Sequence, residues 1–448
     1  MEKENKNKFW KGVLVGALVT AFSGLIIVGV ATGISLIGRT VIDNQVQTQT
    51  VDSSQNVAAE PAKLDMKQVE GKVDLLEEII NKRFLYETDV KELESGLYRG
   101  LMSGLDDPYA VYYDEEEYRE LQESVSGTYC GIGIMVSQNV KTGLVTVIKV
   151  FKDSPGEKAG ILPGDILYKV GDVDVTTEDL DLIVSKHIKG VEGTVVRLTV
   201  LRGTEYVELK AIRGQIEVPT VEYKILNGDT GYVAVSQFDL VTADQFAKAV
   251  EDMEANGMKR MVIDLRGNPG GVLDSAVDMA AYLLPEDEDK FDGNIVYTED
   301  KDGKGERYYC KNGLISFEGS NPQNNNPRYP KKDGHELDLP IAVLINENSA
   351  SAAELFSGCL QDYGWATIVG TTSFGKGIVQ NLIPLTDGSA VKLTTERYFT
   401  PSGFCLHEIG ITPDVEVELD EALLQKVVIT PEEDNQLQKA IEVLEKAE

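Results

Sequence analysis

Residues 261–284, MVIDLRGNPGGVLDSAVDMAAYLL, run from an apolar stretch, Met261 to Leu265, through a glycine-containing loop into a second apolar stretch, Leu273 to Leu284, at helical spacing. A buried strand that passes through glycines into a helix is the repeating unit of an α/β layer. Upstream, Gly231 to Ser236 reads as a strand and Ala243 to Asn256 as a helix. Downstream, Ile341 to Ile345, Ala352 to Gln361 and Thr367 to Val369 repeat strand, helix and strand. The alternation predicts a parallel-stranded core over residues 214–420. Between 286 and 339 it is interrupted by Asn, Gly, Pro and Lys clusters around a hairpin at Ile295 to Tyr309, which reads as a surface excursion.

Three stretches of this core carry residues suited to chemistry. In Asp264-Leu265-Arg266-Gly267-Asn268-Pro269-Gly270-Gly271 the glycines let backbone N–H groups approach a ligand, and the helix that follows favours negative charge at its start. That suits an oxyanion site at Gly270 or Gly271. The spacing of a phosphate loop is missing. In Asn346-Glu347-Asn348-Ser349-Ala350-Ser351-Ala352-Ala353-Glu354 a serine precedes a helix, with the N–H of Ala352 beside it. The same Ser351-x-x-Glu354 spacing also satisfies a capping box, so on this motif alone Ser351 is either a nucleophile or a helix cap. In Gly375-Lys376-Gly377-Ile378-Val379-Gln380 a lysine sits on a glycine-flanked strand. Lysine acts as a general base only when its pKa falls toward neutrality, which burial away from carboxylates achieves. No Asp or Glu occurs from Gly370 to Leu385, and Gln380 offers a neutral amide to orient the amine.

Before the core, strand-like runs fill residues 127–213 and are interrupted by a helix at Glu178 to Ile188. Gly127-Thr128-Tyr129-Cys130-Gly131-Ile132-Gly133-Ile134 places a glycine loop ahead of a strand, Ile132 to Val136. Further on comes Ser154-Pro155-Gly156-Glu157-Lys158-Ala159-Gly160-Ile161-Leu162-Pro163-Gly164-Asp165-Ile166-Leu167. Together these resemble a PDZ domain. The resemblance implies that a peptide's carboxyl terminus is held by the loop at Gly131 and Gly133, with an apolar tail against Ile132, Ile134 and Ile183.

Taken jointly, the module, the serine, the lysine and the glutamine resemble the carboxyl-terminal processing peptidases, or tail-specific proteases. The resemblance implies a crotonase/ClpP-like α/β protease core in which Ser351 is the nucleophile, Lys376 the general base and Gln380 its support. It extends to the turns Thr400-Pro401-Ser402-Gly403 and Gly410-Ile411-Thr412-Pro413-Asp414, and departs from the family pattern in Ala353 and in Phe404 to Ile409. The activity expected is that of a serine endopeptidase with a Ser-Lys dyad and no cofactor. A non-catalytic, membrane-anchored peptide receptor is the alternative from another class. A crotonase-like acyl transferase is disfavoured because fold alone carries no function.

The chain of 448 residues is long enough for several domains. Residues 12–38 carry no charge, follow Lys3, Lys6, Lys8 and Lys11, and precede an acidic, polar stretch. That reads as a transmembrane anchor over residues 1–40 with its amino terminus in the cytoplasm and the rest outside the cell membrane, the competing reading being a cleavable signal peptide with Ala31-Thr32-Gly33 as its site, whose usual apolar region is shorter than this one. Residues 41–62 read as a linker. Residues 63–126 form a helical segment whose apolar spacing suits packing either on the chain itself or on a second copy as a homodimer. Residues 421–448 read as a helical tail. A net charge of -31 argues against nucleic acid as a partner. With three histidines and no C-x-x-C pair, no metal site is expected, and His407-Glu408 lacks the second histidine of a zinc helix. A Ser-His-Asp triad through His335 or His407 is not excluded by spacing.

Overall fold

The computed structural model describes residues 63–284, 292–311, 314–319, 337, 339–426 and 428–447. The apolar stretch 12–38, the linker to residue 62 and His335 lie outside the described residues, so the expected anchor and its orientation are not seen. No described helix is long and apolar enough to cross a membrane.

The chain divides into two compact units, residues 1–93 and 94–448. In the first, the helix Met66–Arg83 starts at Asp65, whose carboxylate accepts from Gln68 N (3.2 Å), and ends on Lys82 and Arg83, which complement the helix dipole. It has no buried residue, and Met66, Leu76 and Ile79 are exposed.

In the second unit the predicted α/β core is present. Strands Val221–Leu226, Thr230–Val235, Arg260–Asp264, Ile341–Ile345, Thr367–Gly370 and Val415–Glu416 lie in that order in one sheet. The first pairing is antiparallel and the rest are parallel. Both faces of the central strands are covered, as the unbroken apolar runs Met261 to Ile263 and Ile341 to Ile345 require. Helices Thr242–Ala255, Leu273–Leu283 and Ala352–Asp362 contribute to one core with Phe238, Phe246 and Phe356. Burial of each such phenylalanine is worth about 1.5–3 kcal/mol. On the opposite face Leu437, Ala440, Ile441 and Leu444 of Asn435–Ala447 pack on Val262, Ala342, Leu344 and Val369. The helical tail expected over 421–448 is thus present as a helix, and it forms a layer of the core.

A second sheet corrects two further expectations. It orders Val111–Tyr113, Ala390–Phe399, Asn294–Asp300, Arg307–Lys311 and Leu314–Glu318, with Ile378–Pro384 also on Ala390–Phe399. The excursion's hairpin is thus part of a sheet, with Ile295, Val296 and Ile315 buried. The segment ahead of the PDZ-like module is also not wholly helical, because its strand Val111–Tyr113 pairs antiparallel with Ala390 to Lys392.

The module itself is a sheet ordered Ile134–Gln138, Val145–Val150, Ile166–Val170, Val195–Arg202 and Glu205–Ile212. Its entry and exit strands, Thr128–Gly131 and Gly214–Glu217, pair with each other. The expected strand Ile132 to Val136 begins two residues later. Gly133 is drawn into a turn at φ +72°, where an added Cβ would meet Ser154 Cβ at 2.4 Å. The expected helix at 178–188 becomes one short turn, Leu180–Leu182, followed by a π-turn, Ile183–Ile188.

Candidate active site

Parallel strands aligned in one direction bring their carboxyl ends to one edge, and in open α/β sheets ligands bind at that edge. The loops after Arg260–Asp264 and Ile341–Ile345 emerge there and are tied to each other. Gly267 N donates to Asn346 Oδ1 (2.9 Å), Ser349 Oγ to Leu265 O (2.7 Å) and Ala350 N to Asn268 O (2.9 Å). Below them Arg266 bridges Asp264 (2.6 Å) and Asp434 (2.7 Å), and Tyr232 OH donates to Asp264 (2.8 Å), anchoring the glycine loop to the carboxyl-terminal layer.

The two serines of Ser349-Ala350-Ser351 separate on geometry. Ser349 is wholly buried, and its hydroxyl is spent on the backbone. Ser351 stands at the start of Ala352–Asp362 with φ +54° and ψ -116°, a conformation a non-glycine residue rarely adopts and one that costs about 1–3 kcal/mol. The strain is held by the Ser351 carbonyl accepting from Tyr398 OH and Glu354 N, both at 2.9 Å. Gly270 lies against this elbow, where an added Cβ would meet Ala350 O at 2.6 Å and Ala352 N at 2.8 Å. Of the two glycine amides the sequence offers for an oxyanion, that of Gly270 is already engaged, donating to Asn268 Oδ1 (2.8 Å).

The Glu354 side chain, read from sequence as part of a cap, has a larger role. Its carboxylate is fully buried and accepts four hydrogen bonds, from Ser351 N (2.8 Å), Lys376 N (2.8 Å), Gly375 N (2.6 Å) and Ser373 Oγ (2.5 Å). One oxygen, Oε2, takes both the Ser351 and the Lys376 amides, so those two amides lie no further apart than twice 2.8 Å. The serine elbow and the loop that carries Lys376, which lies just ahead of Ile378–Pro384 and not on the strand the sequence suggests, are thus joined through one side chain.

Burial pushes the Lys376 amine down to about 8, helped by the nearby Lys392 charge and opposed by Glu354 and Asp107. The direction is the one the carboxylate-free local sequence implied, although Glu354 reaches the site from 22 residues away. The flanking glycines are explained by the loop after Phe404. Glu408 N donates to Gly375 O (2.7 Å), and a Cβ on Gly377 would meet His407 N at 2.6 Å. Gln380 sits at a bulge of Ile378–Pro384, and among the described residues its Nε2 is buried without a hydrogen-bond partner.

In the PDZ-like module Ile132, Ile134 and Ile183 are 1%, 9% and 0% exposed and all three belong to its core. This corrects the expectation that they line an open groove. The outer edge of Ile134–Gln138 is left unpaired, since the strand pairs with another on one side alone among the described residues. Beside it Gly131 to Gly133 turn, with Ile132 O and Gly133 O accepting from Gly156 N (2.7 Å) and Phe151 N (2.9 Å).

Peptidase family S41 matches residues 229–417, a PDZ domain residues 146–202, and the "activating protease CtpB N-terminal domain" residues 27–117. A probable CtpA-like serine protease of Staphylococcus haemolyticus is 32% identical over 93% of this chain and 74% of its own length. One from Staphylococcus aureus is 35% identical over 78% of this chain, which spans 64% of that relative's length. Among solved structures, the photosystem II D1 C-terminal processing protease aligns over 77% of this chain and 86% of its own, at 24% identity and a TM-score of 0.41. The chain belongs to the carboxyl-terminal processing peptidases of family S41, the CtpA-like serine proteases, and carries a PDZ domain.

Proposed function

We propose that the chain is a membrane-anchored, extracytoplasmic endopeptidase in which Ser351 attacks the scissile carbonyl and Lys376 is its general base. The Glu354 carboxylate, shared by the Ser351 and Lys376 amides, is the observation that carries this reading. Lys376 Nζ takes the proton of Ser351 Oγ as the Oγ–carbon bond forms, then returns it to the leaving amine as the peptide bond breaks. Water, deprotonated by the same amine, releases the acyl group. Gly271 N–H and Ala352 N–H face the developing oxyanion at the helix start, each worth about 2.7–4 kcal/mol where such donors have been removed elsewhere. Gln380 Nε2, buried without a partner among the described residues, is free to orient the amine as catalysis proceeds.

A substrate tail adds as a strand to the free edge of Ile134–Gln138, its carboxylate toward the turn at Gly131 to Gly133. A base with a pKa of about 8 must be unprotonated to work, so kcat/KM on an unstructured, apolar-tailed peptide is expected to rise with pH through about 8 and then level. Amidating the peptide's carboxyl terminus is expected to raise KM. A profile flat from pH 6 to 9 contradicts Lys376 as base, and an unchanged KM contradicts tail capture. The anchor rests on the uncharged stretch 12–38 and its preceding lysines. Deleting residues 1–40 is expected to move the protease from the membrane to the soluble fraction, and its retention in the membrane overturns the anchor.

A further inference from the structure

The Lys376 amine has a neighbour that comes from neither the α/β core nor the PDZ domain. Its Nζ lies 4.3 Å from the ring centroid of Tyr109, in Asp106-Asp107-Pro108-Tyr109-Ala110, ahead of the PDZ domain and outside the stretch that matches the peptidase family. The position of that ring is set locally. Tyr109 N donates to Asp107 Oδ1 (2.9 Å) and Ala110 N to Asp107 O (3.2 Å), and the chain then enters Val111–Tyr113, which pairs with Ala390–Phe399 so that Val111 faces Lys392. A second lysine and tyrosine repeat the contact, with Lys392 Nζ 5.6 Å from the Tyr113 ring. The segment before the PDZ domain is thereby joined to the strand that carries Lys392 and places an aromatic face on the amine.

We propose that Tyr109 is a positioning residue for the general base: its ring seats the Lys376 amine and keeps water from it. The segment at 106–113 is then a working part of the active site. This inference rests on Lys376 being the base. A ring face attracts an ammonium, but water solvates it better, so the cover that excludes water favours the neutral amine over the charged form. The charged groups around the amine are Lys392 on Ala390–Phe399, which also favours the neutral form, and Glu354 on Ala352–Asp362 and Asp107 on the same segment as Tyr109, which oppose it. The Tyr109 phenol is itself pushed up by burial, then by Asp107 and Glu354, and stays neutral across the working range.

The test is the pH profile of kcat/KM for the full chain and for Tyr109→Phe, Tyr109→Ala, Tyr109→Gln and Lys376→Ala, with a thermal melt of each. Ala admits water and Gln brings a carbonyl to the ammonium. Both are expected to move the acid limb to higher pH and to lower kcat/KM at pH 7 by about tenfold. Tyr109→Phe, which keeps the ring, is expected to restore the limb. A role confined to holding the fold would lower the melt or kcat and leave the limb in place, so a folded Ala or Gln variant with the wild-type limb overturns the proposal. Either variant decides it if the other fails to fold. Appreciable activity in Lys376→Ala would instead overturn the base assignment. An inactive Lys376→Ala beside an unmoved limb in the Tyr109 variants overturns the Tyr109 inference alone.

Discussion

Lys376→Ala is expected to lower kcat roughly 10²–10⁴-fold, the range general-base catalysis supplies, while leaving KM for a tailed peptide nearly unchanged. The reason is positional. In the proposed mechanism the lysine acts at the serine elbow and the tail is held on the PDZ edge strand, so its removal would take away an interaction made as the Ser351 proton moves and none made on binding. Arginine is no substitute, because its guanidinium stays charged at any working pH. The kinetics of the purified variant check this, and a loss confined to KM contradicts it.

Glu354→Gln is expected to cost stability and rate together. Glu354 is a buried carboxylate held by three backbone amides and one hydroxyl. A glutamine nitrogen in place of Oε2 would face the Ser351 and Lys376 amides, two donors against a donor. In place of Oε1 it faces Ser373, whose hydroxyl can turn to accept, and Gly375, whose N–H then has no acceptor. The second arrangement is the cheaper, and one orphaned buried donor costs about 1–3 kcal/mol. Because the side chain sets the spacing between elbow and base, a displacement of about 1 Å is expected to lower kcat about 10²-fold. Denaturant midpoint and kcat, measured on the same preparation, check both halves. Wild-type kcat in Glu354→Gln would show that the carboxylate does not align the two residues.

Much of the core was legible because its strands are buried on both faces. The sequence places Ile341 to Ile345 at its observed bounds, and Met261 to Leu265 within one residue of Arg260–Asp264. Strand Ala390–Phe399 was not read. It is only half buried, and its Lys392, Thr394, Thr395, Glu396 and Arg397 blur the alternation that marks a strand. The sequence shows the carboxyl-terminal helix but not its place in the core, because its charges hide the apolar Leu437, Ala440, Ile441 and Leu444, whose partner layer is assembled from distant strands. At the site, sequence left Ser351 undecided between cap and nucleophile. Its positive φ and the hydrogen-bonded burial of Ser349 distinguish the two serines, and neither is visible in composition. Tyr109 and the four-donor role of Glu354 are long-range. The Ser-x-x-Glu spacing was the available signal for the glutamate, and it pointed to a cap. For the PDZ domain, apolar residues beside the glycine loop were read as groove because a core face and a ligand face use the same side chains.

In the proposed mechanism it is Ser351 that carries the acyl group. Mixing the full chain with an activated ester of an apolar-tailed peptide, quenching in acid and mapping the added mass is predicted to place one acyl group on Ser351, with none in Ser351→Ala. An acyl group on Ser349 or elsewhere, or sustained turnover with Ser351 replaced, would contradict it.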